Sequence, residues 1–204
     1  HFMEVVNSGF TSLPAKFNTD VSVTGSGLKM QKFSGIMDGQ GHTLNFDYEY
    51  TSEGNGFIRD NYGTVKNFKI DGLVNAKGKG FGALGTWSYG ATIENVDNNL
   101  EIVSTFSGDN SAGSFIAWIQ SAGVTTIRNC VFRGSIKSDV AVQCGGFVGW
   151  SAAGSAYFEN CLSIGDIDIV ITPDDAYGTN TFSRGDNNGI GVPTFNCYYL
   201  DNHQ

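Results

Sequence analysis

Apolar and polar positions alternate in short runs along this chain, and one run keeps returning. It is most complete in residues 145–167, GGFVGWSAAGSAYFENCLSIGDI. Its centre is Phe158-Glu159-Asn160-Cys161, followed by Gly165 and Ile167. Earlier versions are Val65-Lys66-Asn67-Phe68 with Gly72 and Val74, Ile93-Glu94-Asn95-Val96 with Leu100 and Ile102, and Ile127-Arg128-Asn129-Cys130 with Gly134 and Ile136. Steps of about 28 to 34 residues are those of stacked supersecondary units.

Each repeat opens on a short apolar strand: Phe57-Ile58, Ala83-Leu84, Phe115-Ile116 or Phe147-Val148. A variable Gly/Ser loop follows, then the strand that ends in asparagine, a bend, and a third strand around the Gly-x-aliphatic piece. Three short strands per repeat, with no extended helical period, predict an all-β chain coiled as a parallel β-helix, or β-solenoid. Asparagine suits the bend because it tolerates the left-handed backbone region, and asparagines of successive coils can bond one another. The residue before each asparagine runs Lys66, Glu94, Arg128, Glu159. That alternation of sign is favourable if these residues are neighbours on adjacent strands.

The pattern predicts one continuous domain: residues 1–50 as an N-terminal cap and first rung, then repeats over 51–204. The coils fall at about 54–79, 80–111, 112–144 and 145–176, with a partial coil at 177–202 around Phe195-Asn196-Cys197. In the opening motif FSGIMDGQGHTLNF, residues 33–46, Asp38 is expected to bond turn amides and His42 to cap a strand, with catalysis as the lesser reading. Cys130, Cys161 and Cys197 each follow an asparagine, which gives either a column of buried thiols or a disulfide between neighbouring rungs. Cys144 lies outside that column.

Composition narrows the function classes. The net charge of −8 argues against nucleic-acid or anionic-membrane partners, which need clustered Lys and Arg. No apolar run approaches the ~20 residues of a membrane span. No cofactor is implied, and no spacing matches a zinc, EF-hand or Gly-Asp-rich calcium motif. The opening His1-Phe2-Met3, with no signal peptide, suggests a fragment of a larger multidomain chain; a monomer is expected.

The opening motif and coils of the type GGFVGW…FENCLSIGDI resemble the GLUG-motif repeats of bacterial surface and secreted proteins, over roughly residues 33–202. The resemblance implies a single-stranded right-handed parallel β-helix and an extracellular or cell-surface setting. There it would be a module of an adhesin, of an immunoglobulin A peptidase or of a polysaccharide-active protein. The motif is structural and transfers no catalytic residue. Leu100 departs from it, standing where glycine is usual.

Candidate binding chemistry gathers on aromatics. Trp87, Trp118 and Trp150 each follow the inward aliphatic of their coil's first strand by two or three residues, with Asp60 and Tyr62 at the matching place one coil earlier and Tyr89 and Tyr157 as flanks. Exposed, they would offer apolar faces to sugar rings beside polar groups for hydroxyls. Aligned at the ~4.8 Å strand spacing, they could instead stack on one another. On the exposed reading, replacing Trp118 abolishes binding and spares the fold.

Catalytic signals are sparse. Asp166 and Asp168 could serve as a glycosidase pair, and Arg184-Gly185-Asp186 spells a cell-adhesion tripeptide; both also fit solvated polar segments, as do Asp174 and Asp175. The expectation is a non-catalytic recognition or adhesion module for a glycan or a host or cell-surface protein. Alternatives are a polysaccharide lyase or hydrolase, and a structural spacer.

Overall fold

The computed structural model describes residues 4, 7–9, 11–25, 30–53, 56–120, 123–151, 156–170, 181–184 and 192–200. Every strand pairing among them is parallel, and three sheets run the length of a β-solenoid. The first sheet has seven strands: Ala15–Lys16, Ile36–Asp38, Thr64–Lys66, Thr92–Glu94, Thr125–Arg128, Ala156–Glu159 and Thr194–Phe195. The second is the largest, with Thr43–Tyr50, Lys69–Ala76 and Ser135–Gly145 among its strands. The third stacks Met30–Phe33, Ile58–Asn61, Gly85–Ser88, Ile116–Ile119 and Val148–Ser151.

The repeat register reads as expected. Val65, Ile93, Ile127 and Phe158 are Cα partners in succession, all fully buried. Val74, Ile102, Ile136 and Ile167 form the matching inward column of the second sheet. Phe115 and Phe147 stack inside at 4.7 Å, so the core is one continuous strip rather than a set of separate cores.

Asparagine turns the corner between the first two sheets. Asn67, Asn95, Asn129, Asn160 and Asn196 all hold φ between +51° and +59°. Asn95 donates its Nδ2 to Asn67 Oδ1 at 3.1 Å, Asn160 to Asn129 at 3.1 Å, and Asn196 to Asn160 at 2.8 Å. These bonds share one direction, and the ends of the column are matched to it. At the acceptor end, Asp38 Oδ1 takes Asn67 Nδ2 at 2.9 Å and the Gln40 amide at 3.0 Å. At the other end, the Tyr198 hydroxyl donates to Asn196 Oδ1 at 2.9 Å.

Those bonds, Asn67 first and then Gln40, hold the Asp38 carboxyl below its ordinary range. A depressed folded-state pKa stabilises the fold fully above the ordinary carboxylate value, and the contribution is lost as pH falls through the depressed one. Asp38→Asn is therefore expected to make the acid limb of a Tm-versus-pH curve shallower below about pH 4. An unchanged acid limb would show that the Asp38 charge plays no part.

Behind the asparagines, Phe68, Val96, Cys130 and Cys161 are buried, with Cys197 half-buried in line. The cysteines are free thiols in a column, each Sγ directed at the carbonyl two residues back: Arg128, Glu159 and Phe195. Cys144 is buried elsewhere, opposite Ala112.

The charge column runs further than the repeat suggested. Lys16, Asp38, Lys66, Glu94, Arg128 and Glu159 are successive register partners, alternating in sign throughout, with Arg128 and Glu94 in contact at 3.0 Å. Regular coiling thus reaches back to Ala15, within the segment expected to hold the cap and first rung. Val21–Thr24 pairs with the Leu44 strand, and Met30 and Phe33 are fully buried. This first rung lacks the asparagine bend and is recognisable only by its inward apolar residues.

Leu100 occupies the column of Phe46, Gly72, Gly134 and Gly165. At Gly72, where φ is +106°, a Cβ would lie 2.0 Å from the Phe46 carbonyl oxygen. The Leu100 coil turns by another device. Buried Asn98 accepts the Leu100 amide at 3.0 Å and donates to the Ser114 carbonyl at 2.8 Å, and the leucine side chain goes into the core.

Candidate functional site

The tryptophans do form one column. Lys32, Asp60, Trp87, Trp118 and Trp150 are register partners along the third sheet. The row is not uniformly exposed. Trp87 and Trp150 are half-buried, while Trp118 is 4% exposed. Trp118 stacks on Trp87 with centroids 4.3 Å apart and planes at 22°. Gly80, at φ +79°, passes so close that a Cβ there would lie 1.8 Å from the Trp118 ring, and Lys79 Nζ stands 5.8 Å from its centroid. Trp118 is therefore not on the exposed side of the expectation: a glycine-containing loop is seated directly on its ring.

A second stack lies two residues further along each strand. Tyr62 and Tyr89 are parallel within 5° at 4.5 Å, and Lys32 Nζ sits 4.7 Å from the Tyr62 centroid. Tyr62 is 40% exposed. One of its faces is taken by Tyr89, so the pair presents ring edges and hydroxyls to solvent more than flat faces. Arg59 Nε approaches Asp60 at 3.8 Å. Partial burial, then the nearby Asp60 and Tyr62, push the Tyr89 phenol up, so it stays protonated as a donor. Tyr157 does not flank this corner; it lies in the first sheet opposite Thr126.

Other sequence candidates fall outside this corner. Asp166 and Asp168 both point to solvent from Asp166–Val170, with Ile167 and Ile169 inward. His42 Nδ1 meets Asp20 at 3.3 Å, and Asp20 also accepts the Thr43 amide at 2.8 Å, which holds its carboxyl low. His42 thus belongs to a strand-end brace. Arg184 is buried; Gly185, Asp186, Asp174 and Asp175 lie outside the described residues. Among the described residues no group of three or more His, Cys, Asp or Glu could hold a metal, and no helix is long and apolar enough to cross a membrane.

Sequence reasoning did not single out a shallow groove of about 250 Å³ on the asparagine corner, lined by Asn67, Lys69, Asn95, Asp97, Asn129 and Val131 among others. Its asparagines are engaged in the ladder, and Asp97 is paired with Arg133. The only signal for it was the repeated asparagine, which reads as a bend.

No family model matches the chain, and no curated protein matches it. Among solved structures, it is similar to a crystal structure from Bacteroides ovatus described as a putative immunoglobulin A1 protease. The TM-score is 0.65 at 16% identity, over 99% of this chain and 74% of the other. At that identity the likeness concerns the fold, a β-solenoid in a bacterial protein.

Proposed function

We propose that the chain is a non-catalytic structural module of a secreted or cell-surface bacterial protein, a stiff solenoid segment that spaces and presents the parts of a larger chain. The observation that carries this reading is the use of the candidate ligand residues in coil-to-coil contact: Trp87 on Trp118, and Tyr62 on Tyr89. The GLUG-like repeat pattern and the likeness to the Bacteroides ovatus fold support the bacterial setting. In the full-length chain, replacing this segment with an unrelated β-solenoid of equal length should preserve the activity of the flanking parts, and deleting it should not. Loss of activity in the replacement would show that the segment contributes specific contacts.

A second reading, glycan recognition at the same corner, is favoured by the exposure of Tyr62 and by the half-exposed Trp87 and Trp150. Tyr62→Ala is then expected to abolish binding on a glycan array while the melting temperature stays within a few degrees. Binding that survives Tyr62→Ala would move the contact elsewhere. The enzymatic alternative would rest on Asp166 and Asp168, which stand together on the solvent side of their strand.

A further inference from the structure

Acids outnumber bases in this protein. The chain carries 12 Lys and Arg against 20 Asp and Glu. Yet three of its cations stand on the aromatic corner: Lys32 over Tyr62, Lys79 over Trp118, and Arg59 beside Asp60. The Arg59 side chain is 48% exposed and the Asp60 side chain 23%, and their closest approach of 3.8 Å is longer than a hydrogen bond. Among the described residues, Lys32 and Arg59 both neighbour Asp60 and together outweigh it in charge.

The parallel stacking of Tyr62 and Tyr89 adds two phenolic hydroxyls side by side, at the coil spacing. This edge-on arrangement is poorly suited to a neutral sugar that stacks on a ring face. It is well suited to a ligand with a negative charge and several acceptor oxygens. Arginine takes a carboxylate with a two-pronged fork, lysine adds a point charge, and the tyrosines donate to the ligand's remaining oxygens.

We infer that the corner formed by Lys32, Arg59, Tyr62 and Tyr89 binds an acidic saccharide, with its carboxylate between Lys32 and Arg59 and its hydroxyls on the two tyrosines. The inference rests on the recognition reading of this corner and names its ligand class. The folded stack explains why the site is here. Lys32 and Tyr62 come from consecutive coils of the third sheet, and Tyr89 from the next. No isolated segment contains the constellation, and it forms only when the coils stand in register.

The test is calorimetric titration of the protein with two matched pairs: trigalacturonic acid against its methyl ester, and sialyllactose against lactose. At least one acid should bind about tenfold more tightly than its neutral partner, the worth of one charged hydrogen bond. That preference should shrink as salt is raised. Lys32→Gln and Arg59→Gln should each remove most of it, while Lys69→Gln, at the distant asparagine corner, should leave it intact. Acid and neutral sugars bound equally, or variants without effect, would overturn the inference and leave glycan recognition standing. Failure of all four sugars to bind would overturn both, and the structural reading alone would remain.

Discussion

Ile127→Glu is expected to lower stability by on the order of 4–5 kcal/mol, a fall in Tm of roughly 10–20 °C for a chain of this size. Ile127 is fully buried and lies in register between Ile93 and Phe158, which are also fully buried. A carboxylate there has no counter-charge within the strip of apolar side chains, and it would sit against the coil on either side. Ile127→Val removes one methylene and should cost only about 0.5–1.5 kcal/mol, which separates the effect of charge from that of shape. A Tm unchanged by the glutamate would mean that the position faces solvent and that the inward column is wrongly drawn.

Trp118→Ala should cost about 3–5 kcal/mol, as for other large-to-small changes at buried aromatic sites. Three contacts disappear together: the stack on Trp87, the seat for Gly80 and the cation–π contact with Lys79. Because Gly80 belongs to the loop of the preceding coil, the loss should spread beyond the strand Ile116–Ile119 itself. Trp118→Phe, which keeps an aromatic face, should recover part of the stability. Were Trp118→Ala as stable as the parent, the ring would have to be a surface feature, and the case for ligand contact at that position would be restored.

The contrast between these two positions shows what the sequence could convey. Ile127 was readable because solenoid periodicity ties inward position directly to strand alternation and to the invariant place of the asparagine. The asparagine bends, the column of free thiols and the alternating charges all follow from the same register. Trp118 was only half readable. Its column could be counted, but its exposure depends on where the Lys79–Gly80 loop runs, and loops of variable length carry no periodic signal. The start of coiling was less legible for a related reason: residues 15–33 coil by burying Val23, Met30 and Phe33 without the asparagine that marks later bends. Leu100 shows the reverse case, an expected glycine replaced because a buried Asn98 makes the turn instead. The corner of Lys32, Arg59, Tyr62 and Tyr89 draws on consecutive coils, so only its tyrosines stood out in the linear pattern.

The tryptophan column holds neighbouring coils together, with Trp118 stacked on Trp87 and seated under Gly80. Native-state hydrogen exchange on the parent protein and on Trp118→Ala tests it most directly, read at Gly85–Ser88, Ile116–Ile119 and Val148–Ser151, the three consecutive strands of the tryptophan column. Amide protection should fall in Gly85–Ser88 and Ile116–Ile119, which share the stacked rings, and in Val148–Ser151 through its pairing with Ile116–Ile119. Protection lost in Ile116–Ile119 alone, or in none of the three, would contradict it.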